Sequence, residues 1–150
     1  MTDKQFDEAA KEILSSPEMK KSKKFVQHGK VSVYSHSLAV AKYSVRFAGK
    51  MGIKVDYRSL VRGALLHDFF LYDWHDDWDK LHGFKHPRIA LENAKKRFKL
   101  NKKEREIIRK HMWPMTFINI PLCREAWLVC IIDKYCSMLE TLKISKYNDL

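Results

Sequence analysis

Cysteine is scarce in this sequence, and its spacing limits what it can do. Only three of the 150 residues are cysteines, Cys123, Cys130 and Cys136. An odd number, crowded into one segment without a CxxC pair, argues against a disulfide framework and against a zinc site built from thiolates. We expect reduced thiols that pack as small hydrophobic side chains.

Long apolar runs are also missing. No stretch reaches the roughly 18 apolar residues that a membrane-spanning helix requires. The first residues, MTDKQFDEAAKEIL, carry acids where a signal peptide has a basic start and an apolar block. These absences predict a cytoplasmic protein without a membrane partner.

Glycine and proline are few, with five and four residues, and the sequence has no repeat, low-complexity tract or Gly/Ser linker. A chain of this length with 45% hydrophobic and 31% charged residues is typical of one compact domain, residues 1–150. Few segments, such as FINI at 117–120, suit a strand. The prediction is therefore an all-α helical bundle.

Helix-start signals divide the chain into segments. Thr2 and Gln5 form a capping box, and Asn101 and Glu104 form another. Pro87 suits the first position of a helix. These signals and the apolar periodicity predict helices over about 3–14, 17 onward, 33–51, 57–71, 87–100, 102–114 and 122–143. The stretch YDWHDDWDKLHGFK, residues 72–85, is predicted to form a loop. Its aromatic and acidic part, 72–79, is either a lid that stacks a base or a solvated loop anchored by its tryptophans.

The chain is strongly basic, with a net charge of +11. Such a charge favours polyanions in general, including phosphorylated metabolites, nucleotides, nucleic acid and acidic surfaces. The lysines are scattered in pairs, however, as on the solvated faces of ordinary helices. No nucleic-acid-binding motif is present, so nucleic acid is not the expected partner.

Five polar residues fall among apolar neighbours at helical spacing: His36, His67, Asp68, His111 and Asp133. A sixth, His86, stands directly before Pro87, where it is predicted to cap the mouth of a helix. Burying an unpaired carboxylate costs several kcal/mol, and the helical neighbours of Asp68 and Asp133 provide no positive charge. Bound divalent cations would supply that charge, and a second cation would leave a surplus to hold an anion. Nitrogen and oxygen donors without thiolate indicate iron, manganese, cobalt, nickel or zinc.

The order of these residues, H…HD…H…H…D, resembles the pattern of the HD-domain superfamily of metal-dependent phosphohydrolases. The resemblance covers about residues 25–140 and leaves 1–24 as an N-terminal helical extension. The stretch QHGKVSVYSHSLAVA is also similar to the region of the first histidine in small bacterial members. The continuation HDFFLYDW differs from the HDIGK type, which argues against a cyclic-dinucleotide phosphodiesterase.

The resemblance implies a core of about five helices with a metal site at its centre. It assigns a first metal ion to His36, His67, Asp68 and Asp133. It assigns a second ion to His86 and His111, with Asp68 bridging the two. Members with this full pattern include phosphodiesterases and nucleotide hydrolases, and also a few di-iron oxygenases.

The resulting hypothesis is hydrolysis of a phosphoester or phosphoanhydride in a small phosphorylated metabolite, with a nucleotide as the favoured substrate. A metal-activated water would attack phosphorus, and Asp68 and His67 are the predicted catalytic residues. Substrate contacts are predicted for His28, Lys85, Arg88 and Lys134, although each also fits an ordinary surface or turn residue. His82 competes with His86 as a ligand, and His86 is preferred because it is predicted to cap the helix that begins at Pro87.

Two alternatives remain open. The same six ligands could form a di-iron oxygenase. The chain could also be a non-catalytic module that binds nucleotide or nucleic acid through its basic surface, with the histidines structural and no metal required. The sequence predicts neither the oligomeric state nor the identity of the metal.

Overall fold

Helices dominate the architecture, as predicted. The computed structural model describes residues 1–73 and 82–142, with the side chain of residue 82 excepted. In these ranges it contains α1 Asp3–Ser15, α2 Pro17–Lys21, α3 Val33–Lys50, α4 Tyr57–Leu66, α5 His82–Arg97, α6 Lys102–Lys110 and α7 Arg124–Thr141, with a 3-10 turn at Ser22–Lys24 and the strands β1 Val26–His28 and β2 Val31–Ser32. The all-α prediction is confirmed.

Side-chain caps fix the starts of several helices. Both predicted capping boxes form, Thr2 with Gln5 at α1 and Asn101 with Glu104 at α6. Asp56 caps α4 by accepting a hydrogen bond from the backbone N–H of Ser59. These caps satisfy N–H groups that have no partner inside a helix, so local sequence determines where the helices begin.

Three predicted helix limits are wrong. α4 ends at Leu66 rather than near residue 71, and residues 67–70 form a turn. α6 ends at Lys110 rather than near Pro114. α5 begins at residue 82 and contains Pro87 in its interior, so His86 lies within the helix and does not cap it. Pro87 then costs α5 the backbone hydrogen bond that residue 87 would donate to the carbonyl of Gly83.

The small sheet was not predicted. β1 and β2 pair antiparallel around Gly29, whose φ of +59° suits a residue without a Cβ atom. A Cβ there would also lie 3.1 Å from the carbonyl oxygen of Glu140, so this hairpin packs against the end of α7. The FINI segment, named as a possible strand, forms no strand.

The core surrounds α4, which contacts α1, α3, α5, α6 and α7. Leu60, Val61, Ala64 and Leu65 are fully buried in it. Gly63 lets α4 and α6 approach closely, because a Cβ atom on it would overlap the side chain of Ile107. The C-terminal end of this central helix therefore lies deep inside the bundle. No helix in the described ranges is long and apolar enough to cross a membrane.

Candidate metal centre

The six polar residues singled out in the sequence converge at the end of α4, and all six are buried. His36 lies in the first turn of α3, and His67 and Asp68 lie in the turn that follows α4. His86 comes from α5, His111 caps the C-terminus of α6, and Asp133 comes from α7. Five segments far apart in the sequence thus contribute to one cluster.

A tight turn brings His67 and Asp68 to the same side. A helix would turn their side chains about 100° apart. Instead, the N–H of Phe69 bonds the carbonyl of Leu66, and the side-chain amide of Asn93 donates to the carbonyls of Phe69 and Phe70, at 3.1 and 3.0 Å. Leu71 then adopts a left-handed φ of +63°, an unfavourable backbone conformation of the kind found near functional sites.

The first group of donors consists of His36, His67, Asp133 and the Oδ2 atom of Asp68. Oδ1 of Asp133 lies 3.0 Å from Nε2 of His36 and 3.5 Å from Nε2 of His67. Oδ2 of Asp68 lies 3.7 and 3.3 Å from the same two nitrogens. Two imidazole nitrogens and two carboxylate oxygens therefore point at one small volume.

The second group consists of His86, His111 and the other oxygen of Asp68, Oδ1. This oxygen lies 3.2 Å from Nε2 of His86 and 3.4 Å from Nε2 of His111. The two nitrogens lie 2.9 Å apart. The Asp68 carboxylate thus spans both groups, with one oxygen in each.

Hydrogen bonds on the outer sides of three rings orient their inner nitrogens. Nδ1 of His67 lies 2.7 Å from the carbonyl oxygen of Ala64, and Nδ1 of His111 lies 2.8 Å from that of Ile108. Because a carbonyl can only accept, both Nδ1 atoms carry hydrogen and donate it. Nδ1 of His36 likewise lies 2.8 and 3.0 Å from the two carboxylate oxygens of Glu140. In their neutral form these rings present Nε2 lone pairs to the cluster, as metal-binding histidines do.

Two inner atoms fit a cation because hydrogen bonding leaves them unsatisfied. Nε2 of His67 and Oδ1 of Asp68 are buried without a hydrogen-bond partner. Such atoms are costly unless something else satisfies them. A donor set of imidazole nitrogens and carboxylate oxygens, without thiolate, suits divalent transition metals. The cluster therefore fits divalent metal binding.

The pKa values of the clustered residues also indicate that a positive charge is stabilised there. Burial alone would lower the pKa of His36, but hydrogen bonds to Asp133 and Glu140 outweigh it and raise this pKa to about 9. Asp68 raises the pKa of His67 well above its usual value, also against burial. The neighbouring histidines hold the pKa values of Asp68 and Asp133 well below their usual range. The carboxylates are therefore ionised, and a cation is stabilised beside them.

His111 differs from the other rings. Burial lowers its pKa to about 4, against the raising effect of Asp68, and the neighbouring His67 and His86 lower it further. The imidazole of His111 is therefore neutral at physiological pH. A neutral imidazole is the form that binds metal.

The four predicted substrate contacts have different surroundings. His28, half-buried in β1, has its ring centre 5.6 Å from that of His36. Burial, together with His36, lowers the pKa of His28. The ammonium of Lys134 is held by the backbone carbonyls of His111 and Cys130, at 2.8 and 3.2 Å. Lys85 and Arg88 are exposed on α5. All four roles stay predictions.

Two sequence-based predictions fall outside the described part of the chain. The side chain of His82, the competing ligand, is one of them. The other is the predicted lid or anchored loop at 72–79, of which only residues 72 and 73 are described.

Among the described residues, sequence reasoning missed two buried side chains, Gln27 and Glu140, that hydrogen-bond to the cluster. Gln27 in β1 is buried, and its side-chain amide donates to Oδ2 of Asp68 at 2.5 Å. Glu140, which holds His36, is also buried. Glu140 lies seven residues after Asp133 on the same face of α7, so helical spacing could have found it. Gln27 has no such signal, because its position depends on the unpredicted hairpin.

Comparison with known proteins agrees with this geometry. The family model described as the HD domain matches residues 33–138, which is more than half of the chain and includes all six donors. No curated protein and no solved structure gives a significant match. Proteins of the HD domain family are mostly metal-dependent phosphohydrolases. With the family pattern matched over this range and its histidines and aspartates gathered in one buried cluster, the chain belongs to the HD domain family.

Proposed function

We propose that this protein is a phosphohydrolase that uses two divalent metal ions to cleave a phosphoester or phosphoanhydride bond in a small phosphorylated metabolite, with nucleotides as the substrate class. His36, His67, Asp68 and Asp133 would hold one ion. His86, His111 and Asp68 would hold the other.

The bridging arrangement of Asp68 carries the proposal. Its two oxygens lie in two separate groups of donors, each close to two imidazole nitrogens that belong to different segments of the chain. A carboxylate that served only to pair with one histidine would not need this placement. The arrangement supports a two-metal site, in which both ions would act on one substrate.

The residues of the chain have distinct parts in this reaction. Bound ions in such a site lower the pKa of a water molecule and polarise phosphoryl oxygens. Asp68 fixes the separation between the two groups, and Asp133 supplies the second negative charge of the first group. Glu140, Ala64 and Ile108 hold the rings of His36, His67 and His111 in place, so that no reorientation is required during turnover.

The charge of the chain supports an anionic substrate. A net charge of +11 raises the local concentration of phosphorylated molecules. Two divalent ions beside the two carboxylates of the donor set would also leave a local surplus of about two positive charges. The proposed substrate contacts are His28 beside the first group, Lys85 and Arg88 on α5, and Lys134, whose ammonium also binds the carbonyls of His111 and Cys130.

The test combines metal analysis with a screen of nucleotides and other phosphorylated metabolites for phosphate release. We expect close to two metals per chain and turnover of at least one class of substrate. Asp68→Asn should lose both properties. Glu92→Gln, which removes an exposed carboxylate on α5, should keep both and serves as the matched control.

The same assay separates the alternatives. Phosphate release that proceeds without oxygen supports hydrolysis. Iron-loaded protein that consumes oxygen and releases no phosphate from any compound would instead indicate a di-iron oxygenase. Purified protein that neither retains nor takes up metal would refute the proposal and leave a binding module.

A further inference from the structure

An exposed apolar loop joins α6 to α7. The thirteen residues between Lys110 and Arg124, HMWPMTFINIPLC, include no acidic residue, lysine or arginine. Phe117 is 81% exposed, Ile118 is 90% exposed and Leu122 is 78% exposed. Met115 and Ile120 are about half exposed. We call residues 115–122 the apolar loop; single exposed apolar side chains are ordinary, but five in eight residues mark an interaction site.

The apolar loop is held in place by specific contacts. The carboxylate of Glu106 accepts hydrogen bonds from the backbone N–H groups of Leu122 and Cys123, at 2.6 and 2.9 Å. The N–H of Asn119 donates to the backbone carbonyl of Thr116, and Thr116 itself is buried. A Cβ atom on Gly83 would lie 2.7 Å from the sulfur of Met115, so one end of the loop packs against α5. The exposed side chains are therefore presented on a fixed support.

Positive charge surrounds the apolar loop. Arg109 and Arg124 flank it in the sequence and are exposed. The guanidinium of Arg124 contacts the backbone carbonyl of Lys54, which brings a third exposed cation to that end.

The nearest acids offset these cations only in part, because the exposed one is Asp56, which caps α4 two residues from Lys54. Glu106 is occupied by the loop backbone and by Lys110, and Glu125 is buried and paired with Lys103. The rim of the loop is therefore cationic.

We propose that the apolar loop inserts into the surface of an anionic lipid bilayer, with the cationic rim lying at the headgroups. Apolar and aromatic side chains combined with Lys and Arg are the features that hold peripheral proteins at such a surface. Peripheral attachment needs no spanning helix. Self-association through this loop is the less favoured alternative, because two chains that each have a net charge of +11 would repel each other.

The experiment measures co-sedimentation of the full chain with vesicles of phosphatidylcholine alone and of phosphatidylcholine mixed with phosphatidylserine. We expect binding to the mixed vesicles only. Raising the salt from about 0.1 M to about 1 M shortens the Debye length from about 10 Å to about 3 Å and should weaken this binding. The double variant F117S/I118S should lower the partition coefficient at least tenfold, because each serine removes a large inserted side chain.

The matched control is M138S/L142S. These residues are 52% and 58% exposed, and Met138 lies about 21 Å along α7 from the end that carries the loop. The control should bind vesicles like the unchanged protein. Equal binding by F117S/I118S would overturn the proposal, as would the absence of any vesicle binding. A dimer in solution that F117S/I118S dissociates would also overturn it and identify a second copy as the occupant.

Discussion

Asp68 is the residue whose substitution should empty both halves of the proposed two-metal centre. One of its oxygens belongs to each group of donors. Asp68→Asn should therefore abolish retention of both metals. Asp133→Asn should weaken only the first group, and His86→Ala only the second. The pattern of losses tests the bridging geometry and not merely the importance of the residue.

The expected magnitude follows from the charge that asparagine removes. A divalent cation and a carboxylate about 4 Å apart interact by roughly 8 kcal/mol at an effective dielectric constant of about 20. Asp68 is buried, so its desolvation offsets part of this energy. If half of the interaction is lost in the variant, about 4 kcal/mol, the affinity for each metal falls by about a thousandfold.

The assay is elemental analysis of each variant after gel filtration at a fixed, buffered metal concentration. Glu104→Gln is the control, because Glu104 is equally buried but pairs with Arg62 away from the cluster. That variant should unfold at a lower temperature and keep its metals. Metal content in Asp68→Asn equal to that of the unchanged protein would refute the bridging role, and so would loss of both metals from His86→Ala.

Three further predictions follow from single contacts. Glu140→Gln removes the charge that holds His36 and should weaken metal binding in the first group by about 10- to 100-fold in a chelator competition, whereas unaltered affinity would contradict its role. Gly63→Ala should destabilise the fold by about 1–3 kcal/mol in urea, because its Cβ would lie 2.9 Å from that of Ile107; Gly49→Ala should not, because its Cβ would meet only the Tyr57 hydroxyl oxygen, at 4.0 Å. Chelation of metals whose free concentrations are 100 times their dissociation constants should remove about 2.7 kcal/mol for each site, or about 5.4 kcal/mol for two sites, and lower Tm by about 10–20 °C, reversibly.

Local chemistry explains which parts of the fold were predictable. The starts of α1, α4 and α6 are set by side chains that bond backbone groups within three residues, so the sequence contains the whole interaction. Five of the six clustered residues were also visible, because polar groups on apolar faces break the helical pattern. His86 was singled out by its position before Pro87. Their convergence at one point depends on tertiary packing, which only the family resemblance could anticipate.

Long-range contacts explain the errors. The end of α4 is set by Asn93, whose amide binds two carbonyls of the following turn from a helix more than twenty residues away. The start of α5 was misjudged because proline usually opens a helix, and here a turn of helix precedes it. Gln27 reaches Asp68 across 41 residues through a hairpin too short to give a periodic signal. No local pattern records these interactions.

The positions of two histidines at helix ends have a common physical cause. His67 and His111 are the residues at which α4 and α6 end, and each Nδ1 bonds the carbonyl three residues before it. The last carbonyls of a helix have no partner inside it, so they are free to orient a ring. His36 lies at the beginning of α3, where the carbonyls are used by the helix, and it requires the separate acceptor Glu140. The ends of two helices thus orient two rings of the candidate metal centre through the backbone, whereas His36, at a helix start, is held by a buried carboxylate.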